Sequence, residues 1–209
     1  MSPARSRLAW LVPAVITGTL VPLGVMSWRA AAGRLGANPI ATALNQLGLL
    51  SLVLLCSCLA CTPLRLVTGW TWPARVRRTL GLAAFFAVFL HFLVYLILDQ
   101  GFDIAALTHD LAERPFILVG FLALVLMLPL ALTSTKRSVS ALGYPAWSRL
   151  HQSVYLVGVL GVAHFYMRVK KDTSLPIAFG ALLALMFVVR LVAAHQKRRA
   201  RRLRARADI

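Results

Sequence analysis

Carboxylates are scarce in this sequence: Asp and Glu number six in 209 residues, against 23 Lys and Arg. None lies within the long apolar runs, so a relay of buried acids for moving protons or metal ions across a membrane lacks its usual members. Cysteine is scarcer still. Cys56, Cys58 and Cys61 share one apolar run, which excludes an extracellular disulfide framework. Cys58 and Cys61 form a C-x-x-C without two further ligands beside it, and cysteine here reads as a small hydrophobe that lets helices approach. The sequence contains no repeat, no low-complexity segment, no linker long enough to divide it, and no G-x-G-x-x-G after a strand, so no nicotinamide-binding domain is expected.

What fills the chain is apolar. Hydrophobic residues make up 59%, charged residues 14%, and the mean hydropathy is +0.77. A helix needs about 20 mostly apolar residues to cross the hydrocarbon core. Runs of that length predict an all-α integral membrane protein, a bundle of six transmembrane helices over Leu8 to Met26, Leu44 to Thr62, Leu80 to Leu98, Phe116 to Thr133, Leu150 to Met167 and Leu175 to Ala194. Leu8 to Leu23, preceded by Arg5 and Arg7, also has the form of a signal peptide, but it fills a full span and is expected to be retained. Pro22, Pro63, Pro115, Pro129 and Pro145 are expected at or near span ends.

The formal net charge of +17 would suit nucleic acid in a soluble protein, but its distribution argues against such a partner. Lys and Arg number two, four, three and seven in the N-terminal tail, the 63–79 loop, the 134–149 loop and the C-terminal tail, against two, one and three in the alternate loops. That bias places both termini in the cytoplasm and makes 195–209 a basic cytoplasmic tail beside membrane lipid. The loop with Asp99, Asp103, Asp110 and Glu113 then faces outward, as a solvated connection or a partner contact. Arg190, near the cytoplasmic end of the last span, is expected to snorkel to the headgroups, and His109 and His195 to be solvated.

Histidine inside a span is costly and marks a functional candidate. His91, His151 and His164 qualify. At about 1.5 Å per residue, His91 lies roughly 3 Å and His164 roughly 8 Å outward of mid-span, and His151 roughly 11 Å inward. The outer pair can share one iron, and His151 cannot join them. Two imidazoles without a third ligand at that depth suit a haem better than a closed zinc site. A helix carrying both His151 and His164 must bend or rotate to present them to one groove, and Gly158 and Gly161 lie between them, where close helix packing is their commoner reason.

Several short segments carry a resemblance: Gly36-Ala-Asn-Pro-Ile40, Thr62-Pro-Leu-Arg65, Thr68-Gly-Trp70, Arg77-Arg78 with Leu80-Gly81, His91-Phe92, Leu98 to Asp103, Arg114-Pro115, Thr133-Ser-Thr135 and Trp147 to His151. Through them the chain resembles the ferric-reductase-like transmembrane superfamily and, more narrowly, its MsrQ family, as a single domain over 1–209. The resemblance implies a multi-pass protein of the bacterial inner membrane. It would carry haem b and FMN and no catalytic side chain of its own, and would take electrons from quinone or a cytosolic flavin reductase. Its partner would be MsrP, a periplasmic molybdopterin methionine sulfoxide reductase that repairs oxidised proteins. His91, His151 and His164 match the family's histidines. A metal- or proton-translocating protein using the same histidines is the alternative.

The inner half departs from the wider superfamily. Arg77 and Arg78 stand where a second ligand on the third span is expected, and arginine has no lone pair for a metal. As residues, they read equally as positive-inside anchors or as guanidinium forks for a flavin phosphate or a reduced flavin or quinone. The resemblance favours the flavin role. His151 is left to this half, as a single haem ligand or as a hydrogen-bonding group near flavin or quinone.

Overall fold

The computed structural model describes residues 8–207; Arg5, Arg7 and the end of the basic tail lie outside the described residues. Helix starts follow local signals. Proline opens α2 (Pro39–Thr68), α3 (Pro73–Leu93) and α5 (Pro115–Leu132), where its missing N–H costs no helical bond. Asn38 caps α2 by accepting from the Ala41 N–H at 3.0 Å. Gly69, at φ 73°, closes α2 in the left-handed conformation, with its N–H on the Arg65 carbonyl. The other helices are α1 (Leu11–Ala31), α4 (Ile104–Glu113), α6 (Lys136–Leu142), α7 (Tyr144–His151), α8 (Val154–Arg168) and α9 (Ser174–Ala207), and α3 runs on through a π-helical segment, Val94–Asp99.

Among the described residues, five helices are long and apolar enough to cross a membrane: α1, α2, α3 with its π-helical extension, α5 and α9. The expected sixth span is instead divided. Gln152 N–H reaches the Ser148 and Arg149 carbonyls and Ser153 N–H reaches that of Leu150, so the chain tightens and turns between α7 and α8. The 15 residues of α8 rise only about 22 Å. The interruption therefore falls at 152–153. Gly158 and Gly161 serve packing, since a Cβ at Gly158 would stand 3.0 Å from Leu59 and one at Gly161 3.6 Å from Leu52.

Helix α2 is the axis of the bundle. It packs along α3 and also meets α8 and α9, while α5 lies along α8 and α1 flanks α3. Leu47, Leu55, Leu59, Ala84, Ala87, Val157 and Leu183 are buried between them, and Cys56, Cys58 and Cys61 are buried in the same layer. Gly81 lets α3 approach Cys58, whose thiol donates to the Arg77 carbonyl. Leucines and valines on α1 and the outer faces of α5 and α9 remain exposed, as lipid-facing surfaces require.

The helices divide the bundle into two ends. At one, next to α4, α2 and α5 begin and α3 and α8 finish; at the other lie α6, α7 and the finish of α2 and α5. Three of the prolines expected near span ends lie within helices: Pro22 well inside α1, and Pro63 in α2 and Pro129 in α5 near the helix ends as expected. Each frees the carbonyl four residues earlier from its helical donor. Neighbouring groups can satisfy such a carbonyl inside a membrane bundle, and one of these is satisfied with consequence below.

Candidate cofactor site

His91 on α3 and His164 on α8 meet toward the α4 end, with ring centroids 6.2 Å apart and planes at 87°. Each ring is held in the same way. His91 Nδ1–H donates to the Leu44 carbonyl at 3.0 Å, and His164 Nδ1–H donates to the Phe116 carbonyl at 2.6 Å. A carbonyl only accepts, so Nδ1 carries the proton in both rings and each Nε2 keeps its lone pair in the neutral form. Carbonyl-anchored Nδ1 is the usual support for a histidine whose other nitrogen binds metal.

One turn beyond each carbonyl stands a glycine. A Cβ at Gly48 would meet His91 Cε1 at 3.4 Å, and one at Gly120 would meet His164 Nδ1 at 2.7 Å. The pairs Leu44 with Gly48 and Phe116 with Gly120 thus form two equivalent cradles on α2 and α5. Neither cradle was identified from the sequence. Gly48 and Gly120 look there like any glycine of an apolar helix, and the only available signal is that each is the fifth residue of its expected span.

A cavity of about 320 Å³ contains both rings. Its deep walls are apolar, with Leu52, Leu55, Met127 and Val157, and Phe92 and Phe121 flank it. The two free Nε2 atoms, the glycine cradles and the apolar lining are the donor set and surroundings that a haem would take, with His91 and His164 as the residues that would hold it. Among the described residues, no group of three or more His, Cys, Asp or Glu is placed to hold a metal ion.

His151 lies elsewhere, at the α6–α7 end. Its ring stacks on Trp147 at 4.1 Å, and its Nε2 is 2.9 Å from the Thr133 hydroxyl, which also lies 2.6 Å from the Pro129 carbonyl. Trp147 Nε1–H donates to the Thr133 carbonyl, tying α7 to the finish of α5. Arg77 is half-buried and reaches the Thr62 hydroxyl at 3.4 Å, whereas its neighbour Arg78 is exposed. His109 and His195 are exposed.

Arg190 corrects the sequence reading. It turns inward rather than to the headgroups, donating from Nη2 to the Leu59 carbonyl at 2.6 Å and from Nη1 to the Tyr155 hydroxyl, with its guanidinium 4.9 Å from the Tyr155 ring centre. Leu59 precedes Pro63 by four residues, so its carbonyl has lost its helical N–H and Arg190 replaces it. Replacing Arg190 with Met is expected to leave that carbonyl unsatisfied, at about 1–3 kcal/mol. For a chain of this size that is a loss of roughly 2–4 °C per kcal/mol in the apparent Tm in detergent. Adding Pro63→Ala to the Arg190→Met protein restores a donor and is expected to recover part of the loss; an unchanged Tm in the single variant contradicts the pairing.

At the α4 end, Asp110 is buried rather than solvated. It accepts from the Tyr95 hydroxyl at 2.7 Å and from Gln100 at 3.2 Å, and pairs with Arg114 at 3.2 Å. Asp103 caps α4 through the Ala105 and Ala106 N–H groups.

A helical, multi-pass membrane protein with two adjacent, carbonyl-anchored histidines defines a class: intramembrane bundles with a built pair of imidazoles. Residues 42–162 match the family described as ferric reductase like transmembrane component. The chain is 48% identical over 183 residues to a Deinococcus radiodurans protein, covering 88% of this chain and 90% of that one. It is 47% identical over 198 residues to one from Rhodospirillum rubrum, covering 95% and 94%, and 44% identical over 184 residues to one from Caulobacter vibrioides, covering 88% and 85%. All three relatives carry the name protein-methionine-sulfoxide reductase heme-binding subunit MsrQ. The chain belongs to the ferric-reductase-like transmembrane family, in its MsrQ branch.

Proposed function

We propose that the chain is the haem-binding electron-transfer subunit of a protein-methionine-sulfoxide reductase system, with haem b held by His91 and His164. The observation that carries this reading is the matched anchoring of the two rings on the Leu44 and Phe116 carbonyls, which leaves two Nε2 lone pairs in one apolar cavity. Bound haem supplies a one-electron carrier. The chain's own part is to fix both imidazoles in the ligating tautomer, hold them on glycine cradles and exclude water with the apolar walls. The charge bias supports α8 with the preceding turn as a sixth span and cytoplasmic termini, and the relatives' names support a protein-methionine-sulfoxide reductase as the acceptor, which we read as a periplasmic MsrP reached from the bacterial inner membrane.

At the α6–α7 end, Arg77 and Arg78 serve electron entry from quinone or a cytosolic flavin reductase, with FMN as the flavin whose phosphate their guanidinium groups would hold. His151, fixed by Trp147 and Thr133, belongs to this end as a hydrogen-bonding group near flavin or quinone. Arg77→Ala and Arg78→Ala are expected to weaken flavin retention or slow reduction by a quinol, with the haem spectrum unchanged; wild-type flavin content and reduction rates in both variants contradict this role. The whole reading is tested by mixing the dithionite-reduced protein with MsrP and methionine sulfoxide in detergent. Reoxidation that requires both is expected, and no reoxidation contradicts it.

A further inference from the structure

The cavity around His91 and His164 is apolar at depth and charged only at its α4 end. There its lining includes Arg168, Arg114 and Asp99. Arg168 is the last residue of α8, four residues after His164, so it stands on the same helix face about 6 Å nearer the α4 end. Arg114 is the N-cap of α5, two residues before the Phe116 carbonyl that anchors His164. The two cations therefore flank one imidazole at the cavity mouth.

They differ in what already occupies them. Arg114 is paired with Asp110 at 3.2 Å, and Asp110 is itself held by Tyr95 and Gln100. Among the described residues, no carboxylate lies within 4.0 Å of Arg168. Haem carries two carboxylates on one edge. Burying either among Leu52, Leu55, Met127 and Val157 would strip it of water without a partner. At the mouth a guanidinium fork offers paired donors matched to a carboxylate, and Asp99 on the same rim keeps the second carboxylate from its side.

We propose that Arg168 is the carboxylate-binding residue of this cavity, pairing with a propionate of the haem and so setting which edge of the macrocycle faces the α4 end, with Arg114 beside it. This rests on the haem reading above. Removing a cation beside the iron favours the ferric form, which carries the extra positive charge. The unpaired propionate then titrates in a higher pH range than when it is held by a guanidinium.

The test is an optical redox titration of the full-length, haem-loaded protein as Arg168→Gln, with Lys171→Gln as the control for loss of a nearby surface charge. At a fixed ambient potential near neutral pH, the reduced-to-oxidised ratio is expected to fall roughly threefold to tenfold in Arg168→Gln. Its midpoint is expected to become pH-dependent between about pH 5 and 8, while Lys171→Gln follows the wild type. If Arg168→Gln retains the low-spin spectrum and titrates like Lys171→Gln at every pH, the proposal is overturned. If Arg168→Gln fails to load haem, Arg168→Lys decides: loading with a near-wild-type midpoint supports the pairing, and failure of this charge-preserving variant to load overturns it as an electrostatic pairing. A wild-type protein without a low-spin haem spectrum would instead remove the haem reading itself, so the two failures are distinct.

Discussion

Replacing His91 or His164 with alanine is expected to abolish the low-spin, bis-histidine spectrum of the purified protein, while His151→Ala leaves it in place. The first two rings lie with centroids 6.2 Å apart and planes perpendicular, their Nδ1 protons committed to carbonyls. Deleting either would remove one of the two nitrogen donors that would hold the haem, and His91 and His164 are the only histidines lining this cavity among the described residues. His151 is committed to Thr133 and Trp147 at the other end of the bundle. Haem content measured as pyridine haemochrome, together with the reduced spectrum, checks all three variants. A normal low-spin spectrum in either His91→Ala or His164→Ala contradicts the pairing.

Gly120→Ala is expected to act almost as strongly, although it touches no ligand atom of the iron. A Cβ there would stand 2.7 Å from His164 Nδ1, closer than nonbonded atoms tolerate. The ring must leave the Phe116 carbonyl to relieve it, and loss of such a supporting contact typically costs 10–100-fold in metal affinity. Gly48→Ala is the graded comparison. Its Cβ would meet His91 at 3.4 Å, a tight contact that a few tenths of an ångström relieve, so most of the haem should be retained. Titrating haem into both variants after expression under haem limitation measures the difference. Equal affinities for Gly120→Ala and the wild type contradict the cradle.

Much of this arrangement was legible in the sequence because a bilayer converts position along a helix into depth. Residue counting from the span ends put His91 and His164 near one level and His151 at another, and the structure places them so. What escaped the sequence depended on contacts between distant segments or on local hydrogen bonds that hydropathy does not record. The turn at 152–153 is made by the Gln152 and Ser153 N–H groups, and the run of apolar residues around it gives no sign of it. Arg190 reads as a headgroup anchor until Pro63 is seen to free the Leu59 carbonyl 131 residues earlier in the chain. Asp110 reads as one more acid of a solvated loop, and its burial follows from Tyr95, Gln100 and Arg114 converging on it.

The same contrast separates the two ends of the bundle. At the α4 end, two helices supply matched histidines and two more supply matched cradles, so the site is specified twice over. At the α6–α7 end, Arg77, Arg190 and His151 are each held by different partners: Thr62, Leu59 with Tyr155, and Thr133 with Trp147. No second pair of imidazoles faces one another there among the described residues. The two ends are therefore unlike: a matched pair of anchored imidazoles lies near one, and arginines and a single histidine held by separate partners lie at the other.

The most direct test of that central pairing is the electron paramagnetic resonance spectrum of the oxidised, full-length protein in detergent, recorded with its dithionite-reduced optical spectrum. A low-spin ferric signal of two nitrogen ligands, lost in both His91→Ala and His164→Ala and kept in His151→Ala, is the predicted result. A haem-loaded protein whose signal is high-spin, or survives loss of either His91 or His164, would contradict it.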